Sequence, residues 1–275
     1  MYSNRLILLF LALLLFRSCG PKTQDRKQRG TEQAAAAISD TLSYTVQTVR
    51  DSYGDCTQKG SGCARVVFSY PQFHAAQTSS PVSQINEYIQ THLSISLLSG
   101  DTLENPETAA AEFVADYAEF LSDNPPYATQ WTWEKRIQRL YESEKILACE
   151  LEAYSFTGGA HGRQVTQYWN FDPATGRPIP LAKLVVPGSL PDLQHSAEQT
   201  FRKLNNIPAD ATLEQFGYWF EENQFQLPEN FSISADTLTF LYNPYEIAPY
   251  VYGKIMIRLP IREIKELLRP AWITP

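Results

Sequence analysis

From Thr129 to Phe171 the chain runs through three stretches rich in strand-forming residues with no helical period: Thr129 to Tyr141, Lys145 to Phe156 and Gln164 to Phe171. The polar break Glu142-Ser143-Glu144 separates the first two, and a glycine-bearing loop the second from the third. Three long strands on short connections predict an antiparallel meander, whose apolar face needs covering. Helical patterns supply the cover. Pro81-Val82-Ser83 opens a helix whose Ile85, Tyr88, Ile89, His92 and Leu93 recur at i, i+3, i+4, i+7 and i+8, which puts His92 on the buried stripe or at its edge. Asn105-Pro106 caps and starts a second, with Ala110, Phe113, Val114, Tyr117 and Leu121 on one face, and Asp123-Asn124-Pro125-Pro126 stops it.

Further strands are predicted at Thr41 to Arg50 and Ala64 to Tyr70, and again at Phe231 to Ile233, Thr237 to Tyr242 and Lys254 to Leu259. Asp172 to Arg177 has turn chemistry, so the chain reverses there. A third helix covers Pro191 to Leu204, with Leu193, Ala197, Thr200, Phe201 and Leu204 on one face, and a short one closes the chain at Ile261 to Leu268. Strands and helices come in blocks, without regular alternation. The class is therefore α+β, with antiparallel sheet or sheets packed with about four helices. The 275 residues suffice for one large or two small domains, and 15 Tyr, 14 Phe and 5 Trp provide the packing material.

The N-terminus carries an address. Arg5 precedes an apolar run from Leu6 to Phe16, too short to span a bilayer, and Arg17-Ser18-Cys19-Gly20 follows. A positive start, a short apolar run and a small-residue boundary describe an export signal. At Ser18-Cys19 the pattern resembles a bacterial lipoprotein signal, in which Cys19 becomes the lipidated first residue; a secreted protein cut nearby and an uncleaved anchor are the alternatives. Residues 19–40 are polar and small, a composition that predicts a tether. Export makes a small disulfide between Cys56 and Cys63 plausible across a polar, glycine-bearing loop. Cys149, within Ile146-Leu147-Ala148-Cys149-Glu150-Leu151, reads as a buried unreactive thiol.

Of the formal charge of −7, the leader and tether are basic, leaving 17 basic against 27 acidic residues from residue 41 onward, a net −10. That sign repels phosphate backbones and excludes nucleic acid as a partner, while it favours a cationic one in a salt-dependent manner. Acidity that serves only solubility is the bland alternative.

Three runs carry a resemblance. Tyr154-Ser155-Phe156-Thr157-Gly158-Gly159-Ala160-His161-Gly162, then Trp169-Asn170-Phe171-Asp172 with Thr175-Gly176, then Asn243-Pro244-Tyr245-Glu246-Ile247-Ala248-Pro249-Tyr250 resemble the hallmarks of the DUF3298 family in order and spacing. The stretch from about Leu42 to Pro126, with Tyr70-Pro71-Gln72-Phe73 after a strand, resembles its usual companion, the PdaC-like DUF4163 region. The chain then divides into a signal peptide (1–18), a tether (19–40), a DUF4163-like region (41–127) and a DUF3298-like domain (128–272). Relatives of this pair occur as exported lipoproteins, as the outer part of RsiV-like anti-sigma factors that sense lysozyme, and beside peptidoglycan deacetylase domains. The resemblance implies a cell-envelope recognition module and brings no catalytic residues. A cytoplasmic sigma-binding segment, a spanning helix and an appended deacetylase domain are all absent from the expected plan, so neither signalling across a membrane nor deacetylation is carried over.

Two loops are candidate ligand contacts. Thr157, Gly158, Gly159 and His161 lie on a loop whose glycines permit positive φ and close approach of another backbone; a structural connection, with His161 bonded to a carbonyl, is the competing reading. Pro244, Tyr245, Glu246 and Tyr250 form a stiff amphipathic stretch, or else the tyrosines pack on the sheet and Glu246 bonds locally.

The four histidines, His74, His92, His161 and His195, are scattered without ligand spacing, so no metal or cofactor is expected. No nucleophile elbow, P-loop or dinucleotide fingerprint occurs. Glu150 and Glu152 share one face of a predicted strand, as many carboxylates in an acidic chain must. The expectation is a noncatalytic, extracytoplasmic lipoprotein held to membrane lipid through acylated Cys19, which recognises a cationic, lysozyme-like wall-active protein or peptidoglycan. A peptidoglycan-active enzyme or accessory, with Glu150, Glu152 or His161 near the chemistry, is one alternative; a passive structural lipoprotein is the other.

Overall fold

In a computed structural model the described residues are 42–58, 62–75, 80–124 and 129–273. The expected signal peptide, Cys19 and the expected tether lie outside the described residues. The chain opens with β1 (Ser43–Tyr53) and β2 (Ala64–His74), followed by α1 (Ser80–Leu93) and α2 (Pro106–Asp123), then β3 (Trp131–Glu142), β4 (Leu147–Phe156) and β5 (Arg163–Phe171). After α3 (Leu181–Leu184) and α4 (Leu190–Leu204) come the shorter β6 (Phe231–Ile233), β7 (Thr237–Tyr242) and β8 (Ile255–Pro260), with α5 (Ile261–Ile264) and α6 (Pro270–Ile273) closing. The class is α+β, as the block pattern requires. The closing helix is broken, since α5 gives way to a single 3-10 turn at Lys265–Leu267.

The first five strands form one sheet in the order β1-β2-β3-β4-β5, and the last three form another. The meander β3-β4-β5 is antiparallel throughout, but β2 and β3 are parallel, Ala64 opposite Trp131 and Ser69 opposite Arg136. A parallel neighbour needs a long crossover, and the pair α1 and α2 provides it. This sheet runs across the division expected at residue 127, so β1 and β2 share a core with β3 to β5.

That core lies between the sheet and the two helices. Ile85, Ile89, Leu93, Phe113 and Tyr117 meet Phe68, Trp133 and Phe171, with Phe68 edge-on to Trp133 at 4.7 Å. Asn105 caps α2 by accepting from the Thr108 amide at 2.8 Å. A second core gathers α4 and the three-stranded sheet around Phe201, Ile233, Phe240 and Leu259. The two meet at the start of β4: Leu147 and Cys149 face the first core, Ile146 and Ala148 the second. Both faces of the strand are covered there, which is why the sequence reads as an unbroken apolar run. Burial pushes the Cys149 thiol up to about 12, so it is inert at neutral pH. On α4, Leu204 is the last helical residue and is exposed, whereas Leu193, Ala197 and Phe201 are buried.

Cys56 and Cys63 are disulfide-bonded, with Cα atoms 5.3 Å apart, which pins the entry to β2. A loop this short stabilises by about 2–3 kcal/mol through chain entropy.

Lys135 breaks the apolar alternation of β3 and points into the first core. Its ammonium donates to the carbonyls of His92 and Leu93, each at 3.0 Å, and of Ile95 at 3.4 Å. It also stands over the rings of Trp133 and Phe68. The orphan carbonyls at the end of α1 thus have a buried cationic donor. Burial pulls the Lys135 pKa down to about 7 from its ordinary value of 10.5. His92, at the stripe's edge as expected, is lowered by burial as well, against a bond to the Tyr88 carbonyl and with the Lys135 charge adding to the fall. Between these two limits for Lys135 the unfolded chain binds the proton that the folded one has released, so stability rises with pH across that window. Urea midpoints of wild type and Lys135→Met, taken at about pH 6.5 and about pH 9, should diverge in favour of the wild type at the higher pH; a constant difference would contradict this account.

Candidate functional site

The corner between β4 and β5 is tight for two reasons. Gly158 holds φ at 112°, a region closed to side chains without strain, and a Cβ at Gly162 would stand 2.3 Å from the Tyr154 ring. The close approach expected of this loop is therefore made by an aromatic side chain rather than by a backbone. His161, exposed at the tip, lies flat on Tyr250 with ring centroids 4.1 Å apart and planes inclined by 15°. Its Nδ1 is 3.1 Å from the Gly162 carbonyl, and its Nε2 is 3.3 Å from the Tyr245 hydroxyl. The Tyr250 hydroxyl donates to the same carbonyl at 3.4 Å. Two loops more than 80 residues apart thus meet through three rings. Thr157 and Gly159 stand on the same corner, facing solvent.

The second loop is held from beneath. Asn243 accepts from the Thr166 amide at 2.7 Å and donates to the Thr166 carbonyl at 3.1 Å, docking the loop on the outer edge of β5. Glu246 accepts from the Asn243 amide at 2.9 Å and from its side chain at 3.1 Å. Between them Pro244 limits the backbone and Tyr245 sits at φ 71°, left-handed and 57% exposed. A non-glycine residue in that region costs about 1–2 kcal/mol, and here local bonds hold it while its ring faces solvent.

Sequence reasoning missed the residues that widen this patch. The Trp219 indole donates to the Glu246 carbonyl at 3.1 Å, and its amide to the Ile247 carbonyl at 2.9 Å. Tyr252 donates to the Phe216 carbonyl at 3.3 Å and packs edge-on against Tyr218. Val251 is 87% exposed, and Phe216, Trp219 and Tyr252 are exposed as well. Glu214, Glu221, Glu222 and Glu246 lie exposed in the same segments, and Trp219, Glu221, Glu229 and Glu246 share a cleft of about 420 Å³. The stretch has neither strand nor helix period, so nothing in the sequence separates the exposed Phe216 and Trp219 from Tyr218 and Phe225, which the second core buries.

Chemically the arrangement is an aromatic surface with a carboxylate rim, suited to contact with a partner. Glu150 accepts from Gln138 at 2.6 Å, and Glu152 pairs with Lys254 at 3.2 Å, so each carboxylate on that strand has its own partner. The remaining histidines stand apart, His74 with Thr45 and His195 with Gln199. Among the described residues no group of His, Cys, Asp or Glu is placed to hold a metal ion, and no helix is long and apolar enough to cross a membrane.

Residues 182–262 match the family described as protein of unknown function (DUF3298), and residues 57–164 match the family described as deacetylase PdaC. The chain carries a DUF3298 domain behind a PdaC-family domain. The fold is shared with a member of the DUF3298 family from Bacteroides fragilis NCTC 9343, 18% identical over 84% of this chain and 95% of that one, with a TM-score of 0.68. A DUF3298 family protein from Pseudomonas aeruginosa PAO1 is also 18% identical, covers 86% of this chain and 98% of that one, and has a TM-score of 0.62. No curated protein matches. The corner from Tyr154 to Gly162 falls inside the PdaC match and the loop from Asn243 to Tyr250 inside the DUF3298 match, so the ring cluster draws on both.

Gly162→Ala should destabilise the protein by about 1–3 kcal/mol, because the added methyl collides with the Tyr154 ring. Tyr245→Ser and Val251→Ser, which touch no core, should stay within about 0.5 kcal/mol. Urea denaturation of the three variants checks both statements; an unperturbed Gly162→Ala would contradict the packing described.

Proposed function

We propose that this protein is a noncatalytic recognition module of the cell envelope, held outside the cytoplasm by lipid on Cys19, and that it binds a cationic, wall-associated protein of the lysozyme-like kind through the His161–Tyr245–Tyr250 surface. The observation that carries this reading is the convergence of two sequence-distant loops on one exposed aromatic patch, widened by Trp219, Val251 and Tyr252. Exposed apolar clusters on a folded surface mark interaction sites, and aromatic anchors with restricted backbones lose little entropy on binding. The glutamates around the patch and the net −10 of the chain beyond residue 40 supply the matching sign.

The deacetylase of the PdaC family name is an activity of that family, and nothing at the ring cluster reproduces a hydrolytic centre. A peptidoglycan-active enzyme remains the second reading only at Glu150 and Glu152, whose partners Gln138 and Lys254 account for both carboxylates.

The full-length protein in detergent should associate with a purified cationic muramidase at one-to-one stoichiometry, and raising the salt should weaken the complex. Tyr245→Ser combined with Val251→Ser should lower affinity by about ten-fold or more, a loss of about 1.4 kcal/mol. Undiminished binding by that double variant, or release of soluble wall fragments that stops in Glu152→Gln, would overturn the proposal. Labelling with a fatty-acid analogue should mark the wild type and fail in Cys19→Ala.

A further inference from the structure

A second cleft adjoins the one beside Trp219, sharing residues 226–230 with it. A cleft of about 860 Å³ opens between the end of β5, the start of α4 and the segment from Gln224 to Phe231, with Tyr88 of α1 at its side. Its volume falls within the range of about 300–1,000 Å³ usual for ligand sites.

Four features of its walls narrow the occupant. Trp169 forms part of the wall, is 4% exposed, and its indole N–H finds no acceptor in the protein. A buried donor left in that state costs about 1–3 kcal/mol, which a carbonyl brought by a ligand would relieve. Gln167, Gln224 and Gln226 also line the cleft, exposed, and their side-chain amides bond nothing among the described residues. Among the described residues no lysine, arginine or histidine lines it and Glu229 is its one charged group, which argues against an anion. Leu181, Leu190, Leu227 and Pro228 offer aliphatic surface, Leu190 at 46% exposure.

Amide side chains elsewhere in this molecule show what such groups read. Asn86 pairs with both the amide and the carbonyl of Phe73, each at 2.9 Å. Asn170 donates to the Phe231 carbonyl and accepts from the Ile233 amide, and Asn230 accepts from the Tyr168 amide while donating to the Thr166 carbonyl. Each grips extended backbone at two points. Tyr88 tilts against His92 at 4.1 Å and meets Trp169 edge-on at 5.4 Å, so these rings are used on one another, while the half-buried Tyr168 also lines the cleft and makes a saccharide the competitor to test.

We infer that this cleft receives an extended peptide segment with aliphatic side chains and no net negative charge, its backbone held by the glutamine amides and the Trp169 indole and its side chains seated on Leu181, Leu190 and Leu227. The inference uses none of His161, Tyr245 and Tyr250, although its cleft shares residues 226–230 with the one beside Trp219.

The test is calorimetric titration of the full-length protein in detergent with three probes: the blocked peptide acetyl-Lys-Leu-Ala-Leu-Ala-Leu-amide, the same peptide with Glu for Lys, and the N-acetylglucosamine tetramer. Hydrogen-exchange protection locates the bound probe. The lysine peptide should bind and protect residues 224–231. Leu190→Glu should weaken it by about ten-fold or more, and Gln224→Ala with Gln226→Ala by about three-fold or more, with unchanged thermal midpoints for these exposed positions. Failure of the lysine peptide to bind, equal affinity for the glutamate peptide, preferential binding of the saccharide, protection elsewhere, or full affinity in both variants would each overturn the inference.

Discussion

A sheet that ends on β5 exposes a row of unpaired amides and carbonyls, and in this protein side-chain amides close that row. Asn243 and Asn230 satisfy Thr166 on both its groups and Tyr168 on its amide, while Asn170 reaches the other way into β6. Buried polar groups without partners cost about 1–3 kcal/mol each, so the seam between the five-stranded and three-stranded sheets tolerates little misregistration. An open edge is also a template for unwanted pairing, and these residues block it. Around the seam, the start of β4 buries one face in each core, so the two cores share a strand although the two sheets do not.

The ring cluster follows from that seam. Asn243 is at once the clasp on Thr166 and the first residue of the loop that presents Tyr245, Glu246 and Tyr250. Because Thr166 lies a few residues past Gly162 on β5, docking Asn243 there brings the second loop beside the corner that carries His161. The contact between His161 and Tyr250 is thus a consequence of backbone recognition several residues away, and the surface is assembled before any partner arrives. Surfaces prepared in this way lose little on binding.

Much of this was legible in the residues. The meander, α1 and α2 with the Asn105 cap, the Cys56–Cys63 pair and the buried Cys149 follow from period, capping chemistry and cysteine context. Both candidate loops could be named, although their meeting could not, because it depends on Asn243 and Asn230 recognising main chain, an interaction with no sequence period. The parallel pairing of β2 with β3 was hidden for a related reason: strand patterns specify faces, while neighbours are chosen by how α1 and α2 route the chain. Residues 205–230 have few regular elements, so Phe216 and Trp219 were easy to pass over, whereas Lys135 could have been found as a charge in step with Trp131, Trp133 and Ile137.

The seam is tested most directly by amide hydrogen exchange on the Asn230→Ala, Asn243→Ala double variant. Thr166 and Tyr168 should lose protection by about 100-fold or more relative to wild type, with a stability loss of about 2–4 kcal/mol, while β1 to β3 keep theirs. Retained protection at Thr166 and Tyr168, with an unchanged urea midpoint, would contradict the claim that these asparagines join the two sheets.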